Sequence, residues 1–325
     1  MHSRRRFLAA CGAAGLGPSA FAQTGGRGTV RVLVGFPPGG TSDVIARMVT
    51  DQMRGSYAPV VIVENKPGAA ARIAAEAVKA AAPDGLTMLV TPASVLTLYP
   101  HVYTKTLRYD PFNDFSPVTA VSKTQLAMFA GPAVPESVQT VAQLVPWLKQ
   151  NPKQSSFGSP ALGSSPHLVG LMFARLAGVD LAPIPYQGAA PATLGLMGGE
   201  VPLTFGSISD GIEHVKAGKV RLLATTGAQR SVYVPNAPTF AEVGFPDLVI
   251  EDWHSFLLPA KTPQAVVARL NEAIRRTVAT REVQDTLKRF ALEPVADSPE
   301  AFARTLRTEH DRWGRIVKAL NFSME

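Results

Sequence analysis

From Phe36 to Asp43 the chain reads Phe-Pro-Pro-Gly-Gly-Thr-Ser-Asp. Two glycines let backbone approach a ligand closely, and Thr41 and Ser42 add hydroxyl groups. Where such a stretch opens a helix, free N–H groups and partial positive charge favour an anion, and a carboxylate fits well. The same residues would also serve as a plain turn capped by Ser42 or Asp43. A second stretch, Gly158-Ser-Pro-Ala-Leu-Gly-Ser-Ser-Pro-His167, has the spacing of a P-loop with serine where the phosphate-binding lysine belongs. Without that charge a triphosphate is not compensated, and no acid of the Walker B kind is evident. As an anion cradle, Gly163, Ser164 and Ser165 supply neutral donors suited to a ligand that must be released.

Catalytic constellations are weak by comparison. There is no G-x-S-x-G elbow, and His101, His167, His214, His254 and His310 are scattered without metal-ligand spacing. Glu309-His310-Asp311 is consecutive, so on a helix the three point different ways. His167 sits near a predicted helix start, where a hydrogen-bonded structural role is the commoner one. Neither a metal nor a cofactor is implied, and a non-enzyme is expected.

Both stretches must be positioned by strand-to-helix connections. Strands are predicted at 30–35, 59–63 and 87–90, with a helix at 44–53 and an alanine-rich helix at 69–82. This βαβαβ run implies a parallel sheet with right-handed crossovers. Ligands of such sheets lie at the carboxyl ends of the strands. There Asn65-Lys-Pro-Gly-Ala69 and Thr91-Pro-Ala-Ser94 follow the second and third strands, adding Asn65, Pro67, Thr91 and Ser94 to the candidates.

The pattern blurs from 115 to 129, and 131–135 reads as a passage to a second alternation. That series has strands at 155–158, 183–186, 203–206 and 222–225 between helices at 141–150, 165–177, 190–197 and 210–216. Tyr186-Gln-Gly188-Ala189 and Gly206-Ser207 follow its later strands and could complete a facing wall. The apolar run 249–259 returns the chain to the first lobe. Helices are then expected at 263–280, 282–290 and 299–319, the last packing through Phe302, Leu306, Trp313, Ile316 and Leu320.

Residues 1–22 read as an export signal: Arg4, Arg5 and Arg6, a small and apolar stretch, then Ala20-Phe21-Ala22 with cleavage after Ala22. Ser3-Arg4-Arg5-Arg6-Phe7-Leu8 fits the twin-arginine pattern, with an ordinary Sec signal as the alternative. Cys11, the single cysteine, leaves with the signal, and because the apolar segment follows it a lipoprotein box is disfavoured. The net charge of +7 falls to +4 on cleavage, spread without the runs that nucleic-acid binding requires. No later apolar run is long enough to span a membrane. Some 300 mature residues exceed what one core usually serves, so two lobes are expected.

Several motifs together resemble those of the Bug proteins, the solute-binding components of tripartite tricarboxylate transporters. They are Phe36-Pro-Pro-Gly-Gly-x-x-Asp43-x-x-Ala46-Arg47, Glu64-Asn-Lys-Pro-Gly-Ala69, Pro83-Asp-Gly85, Gly158-Ser159 through Gly163-Ser164 to His167-Leu168, Pro185-Tyr-x-Gly188, Gly198-Gly-Glu-Val201 and Pro259-Ala-x-Thr-Pro263. The likeness runs in order over essentially all of the mature chain. It implies an α/β, type II periplasmic-binding-protein fold: two Rossmann-like lobes with a ligand cleft between them. Lobe 1 would comprise 27–128 and 250–325, and lobe 2 would comprise 129–249. It further implies a periplasmic protein that closes on a small carboxylate and delivers it to membrane permease subunits. Carried over, the motifs place Phe36, Gly39, Gly40, Thr41 and Asp43 on one side of the ligand. Ser159, Gly163, Ser164, Ser165 and His167 face them, with Pro38, Gly188 and Gly206 in the adjoining loops. A monomer is expected.

Departures from the family pattern bear on the ligand. Gly68-Ala69 is followed by Ala70-Ala71-Arg72 where two glycines are usual, Ala161 replaces a glycine, and Gly206 stands where aspartate is frequent. Methyl groups narrow a site and restrict φ, and a missing acid removes a partner for a ligand amine, so a ligand without an ammonium group is expected. A sensor reporting to a membrane kinase would share the fold, and a periplasmic enzyme is the remaining alternative.

Overall fold

The structure is a computed structural model and describes residues 28–325. The export signal and its cleavage site lie outside the described residues. Strand β1 (Thr29–Val34) leads into helix α1 (Thr41–Met53), whose buried face of Ile45, Ala46, Val49 and Met53 recurs at helical spacing. Then come β2 (Val60–Asn65), a 3-10 turn (Ala69–Ala71) and α2 (Arg72–Lys79). The alanine-rich helix thus starts three residues later than expected, because Ala69, Ala70 and Ala71 all take left-handed φ, from 46° to 72°. Next are β3 (Thr87–Pro92) and the short helices α3 (Ala93–Thr97) and α4 (Tyr99–Val102). β1 pairs in parallel with both β2 and β3, as the βαβαβ pattern requires.

The blurred segment is a single strand, β4 (Phe115–Ala130), of 16 residues. The second series follows: α5 (Val141–Gln150), β5 (Ser156–Ser159), α6 (Ser165–Ala177), β6 (Ala182–Pro185), α7 (Ala189–Met197), β7 (Leu203–Ser207), α8 (Ile208–Lys216) and β8 (Arg221–Thr225). The chain returns through β9 (Glu251–Pro259) and ends in α9 (Gln264–Val278), α10 (Arg281–Arg289), β10 (Glu293–Pro294) and α11 (Pro299–Leu320). Along α11 the buried face is Phe302, Leu306, Trp313 and Val317, with Ile316 and Leu320 partly buried.

The strand order is β2-β1-β3-β9-β4-β7-β5-β6. β4 belongs to both halves of this order. From Phe115 to Gln125 it pairs antiparallel with β9, and from Leu126 onward with β7 and β8. β4 thus crosses from one set of partners to the other between Gln125 and Leu126, ahead of the 131–135 segment expected as a passage. A strand serving two sheets is largely apolar and carries no turn residues at the crossing, which is why its periodicity is hard to read. The other two crossings meet it there. The buried Thr226 hydroxyl accepts from Leu126 N–H at 2.9 Å and donates to the Ile250 carbonyl, and Ile250 N–H donates to Thr226 O at 2.9 Å. Among the described residues no helix is long and apolar enough to cross a membrane.

Candidate functional site

The start of α1 is shaped by residues behind it. Asp43, in the first helical turn, accepts from Gly39 N–H at 3.1 Å, from Arg47 Nε at 3.0 Å and from Asn65 Nδ2 at 2.9 Å. Burial pushes its carboxyl up, but these hydrogen bonds outweigh it and hold the group below the usual carboxylate range. Asn65 also donates to Phe36 O at 3.0 Å, so two candidates from the sequence tie the loop down from the rear. Gly39, at φ 91°, makes the turn that brings Gly40 and Thr41 to the cleft.

Facing it, α6 begins at Ser165 after Ser164, whose hydroxyl donates to Ala161 O at 2.6 Å. Ser159 Oγ donates to the same carbonyl at 3.1 Å. Gly163, at φ 77°, donates its N–H to His167 Nδ1 at 2.9 Å. His167 is packed between Phe157 and Phe322, and burial pushes it down to about 4, so it stays neutral as a strut of the loop.

Between these helix starts lies a central pocket of about 60 Å³. Of the sequence candidates, Phe36, Gly40, Thr41, Ser94 and Ser164 line it. Two larger chambers flank it. One, of about 210 Å³, takes in Gly39, and the other, of about 240 Å³, takes in Pro67 and Gly188. Gly206 borders a small void behind the pocket. Pro38 is exposed, and Asp43, Asn65, Thr91, Ser159, Gly163, Ser165 and His167 line none of these three spaces.

Three lining residues escaped the sequence reading: Asp210, Asp252 and His254. Asp210 sits three residues past Ser207 at the start of α8, and its Oδ2 accepts the Ser207 N–H at 2.8 Å. A Cβ added to Gly206 would lie 2.7 Å from that same Oδ2. The acid missing at Gly206 is thus replaced by one folded back from the next helical turn. The premise that this cleft lacks an acid does not hold. Asp252 accepts from Trp253 N–H at 2.8 Å and Ala93 N–H at 3.2 Å. His254, two residues on along β9, shares its face, and its Nδ1 is buried with no hydrogen-bond partner among the described residues. The visible signal was the alternation of Asp252 and His254 at the polar start of β9, ahead of its apolar run 256–259.

Burial sets the protonation of this floor. It raises Asp210 to about 6 against the pull of Thr41 and Ser207 hydrogen bonds. It raises Asp252 to about 7, opposed by the Trp253 and Ala93 N–H groups and the Ser165 hydroxyl and assisted by the Glu309 charge. Burial also lowers His254 to about 3. Near neutrality the floor therefore holds a neutral imidazole and acids that can each carry a proton.

Residues 45–322 match the tripartite tricarboxylate transporter family receptor. The protein BugT of Bordetella pertussis is 30% identical over 294 residues, covering 89% of this chain and 88% of BugT. The structure of the periplasmic binding protein BugD superposes with a TM-score of 0.85 at 29% identity, covering 91% of this chain and 98% of that one. The R. palustris protein Rpa4515 with adipate gives 0.86 at 29% identity, with the same two coverages. The architecture is the α/β fold of periplasmic binding proteins, two lobes with a cleft between them.

Proposed function

This chain belongs to the tripartite tricarboxylate transporter receptor family, and we propose that it captures a small carboxylate in the central pocket for the permease subunits of such a transporter. One observation carries this reading: the starts of two 13-residue helices, at Thr41–Ser42 and Ser164–Pro166, converge on a single small pocket. Among its described lining residues none is lysine or arginine. A carboxylate would be held by neutral donors from Gly40 and Ser94, and by the Thr41 and Ser164 hydroxyls once these exchange their bonds to Asp210 and the Ala161 carbonyl for the ligand. Hydrogen bonds to a charged group contribute about 1.5–3 kcal/mol each before ordering costs, so several suffice for micromolar binding that can still be reversed.

In this reading the lobes comprise 27–128 with 250–325 and 129–249, and they rotate about the crossing knotted by Thr226. The ligand stabilises the closed form because only there do both helix starts donate to it. The protein works in the periplasm as a monomer, released from its signal after Ala22, and binds its ligand without transforming it. Ligand-bound Rpa4515 supports a carboxylate as the solute.

The test is a thermal-shift screen of mono-, di- and tricarboxylates, with sugars and amines alongside, on protein refolded to strip carried-over ligand. At least one carboxylate should raise the melting temperature, and Gly40→Val and Ser164→Val variants should fold and lose that rise. A rise with sugars or amines and none with carboxylates defeats the reading.

A further inference from the structure

The central pocket, at about 60 Å³, has room for a carboxylate head but not for the body of most organic acids. The body must extend into one of the flanking chambers, and these differ in charge. The chamber of about 210 Å³ carries the Asp210 carboxylate together with His214. The chamber of about 240 Å³ borders the central pocket through Phe36, Pro160 and Ala161, as the first does through Gly40, Thr41, Ala189 and Asp210, but it alone of the three spaces carries an arginine, Arg72.

Arg72 is held rather than loose. Its guanidinium lies 4.0 Å from the centre of the Tyr103 ring, Nε donates to Ala69 O at 2.9 Å, and Nη1 donates to Thr106 Oγ1 at 3.3 Å. Those two bonds commit two of the five N–H donors of an arginine. Tyr103 is fixed in turn, because its hydroxyl donates across the cleft to Leu162 O at 2.7 Å and its ring meets Tyr99 edge-on.

We propose that Arg72, seated on Tyr103, is a second anion-binding position that selects ligands bearing a further negative group beyond the carboxylate in the central pocket. This rests on the carboxylate reading of that pocket. Asp210 borders both the central pocket and the chamber of about 210 Å³, so an anionic tail meets an arginine only beside Arg72, and that charge decides which way a long ligand lies. The left-handed turn at Ala69–Ala71 supplies the wall beside the guanidinium and directs the Ala69 carbonyl onto its Nε.

Calorimetry with two matched pairs, hexanoate against adipate and benzoate against terephthalate, tests this on the wild type, Arg72→Met and Arg72→Lys, with circular dichroism as the check on folding. The wild type should prefer the dianion of at least one pair. Arg72→Met should weaken that dianion about tenfold while leaving its monoanion unchanged, and Arg72→Lys, which keeps the charge but not the planar stack on Tyr103, should retain part of the preference. Equal weakening of both members, or no dianion preference in the wild type, overturns the role of Arg72 and leaves the carboxylate reading standing. A wild type that binds none of the four and no carboxylate of the thermal-shift screen overturns both.

Discussion

Thr41 and Asp210 meet across the cleft, with Oγ1 of the one 2.6 Å from Oδ1 of the other. A hydroxyl has one proton to give, so Thr41 donates to Asp210 and accepts from Ser209 Oγ, 2.7 Å away. On the proposed closure, these bonds exist only in the shut form. Thr41→Val keeps the shape of the side chain and removes both. Without ligand, the radius of gyration from small-angle scattering should rise, and carboxylate affinity should fall about tenfold. An unchanged radius would show that this contact does not hold the lobes closed.

Carboxylate affinity should fall as pH rises. Asp252 at about 7 and Asp210 at about 6 face the pocket, with His254 on the same strand as Asp252, Glu309 acting on it from α11, and Thr41 and Ser207 against Asp210. Below pH 6 both acids are largely neutral and can donate; by pH 8 both are ionised and oppose an anion. A loss of roughly tenfold between these limits is expected in titration calorimetry.

Asp252→Asn keeps an acceptor for the Ala93 and Trp253 N–H groups and should flatten that pH profile. The sign for stability follows from the raised folded-state value. The wild-type group contributes stability that is complete below about pH 4 and is lost as pH rises through 7. Relative to the wild type, the variant should therefore gain stability in urea melts between pH 4 and pH 8. A variant less stable at both values would mean that the asparagine side chain cannot take the native hydrogen bonds.

Ala70→Gly should stabilise the protein by about 1 kcal/mol, because alanine at φ 54° carries a steric cost that glycine does not. For a chain of this length the melting temperature should rise by about 1–2 °C. Ala71 is a poorer site for the same change, since its buried methyl packs where Gly35 has no side chain, 2.3 Å from where a Cβ would stand. A fall in melting temperature for Ala70→Gly would show that its methyl packs better than its partial exposure indicates.

Thr226→Val should cost about 2 kcal/mol in urea unfolding, because the Leu126 N–H is left without its acceptor in a buried crossing. If the crossing is the hinge, the variant should also alter the ratio of open to closed forms seen by scattering without ligand.

Much of the fold was legible because buried strands and amphipathic helices announce themselves by period. The helix start at Ser165 was readable from glycine and serine placed just before an apolar run, whereas α1 begins at Thr41, ahead of the expected Val44. What was hidden depended on contacts distant in sequence. Asp210 reads as an ordinary first-turn acid of α8 until the lobes are seen to press it against Thr41. Asp252 and His254 read as interruptions in a returning segment until β9 is seen to lie between β3 and β4, with that face toward the cleft. The dual membership of β4 could not be read at all, since one strand shared by two sheets has no local sequence mark.

The bond from Tyr103 to the Leu162 carbonyl joins the two halves of the cleft and must break when they part. On the proposed closure, the platform beneath Arg72 is complete only in the shut form. If Arg72 selects as proposed, discrimination between one and two negative groups acts on escape rather than on arrival. Solutes of either kind should be captured at similar rates, and those lacking the second charge should have the shorter residence time.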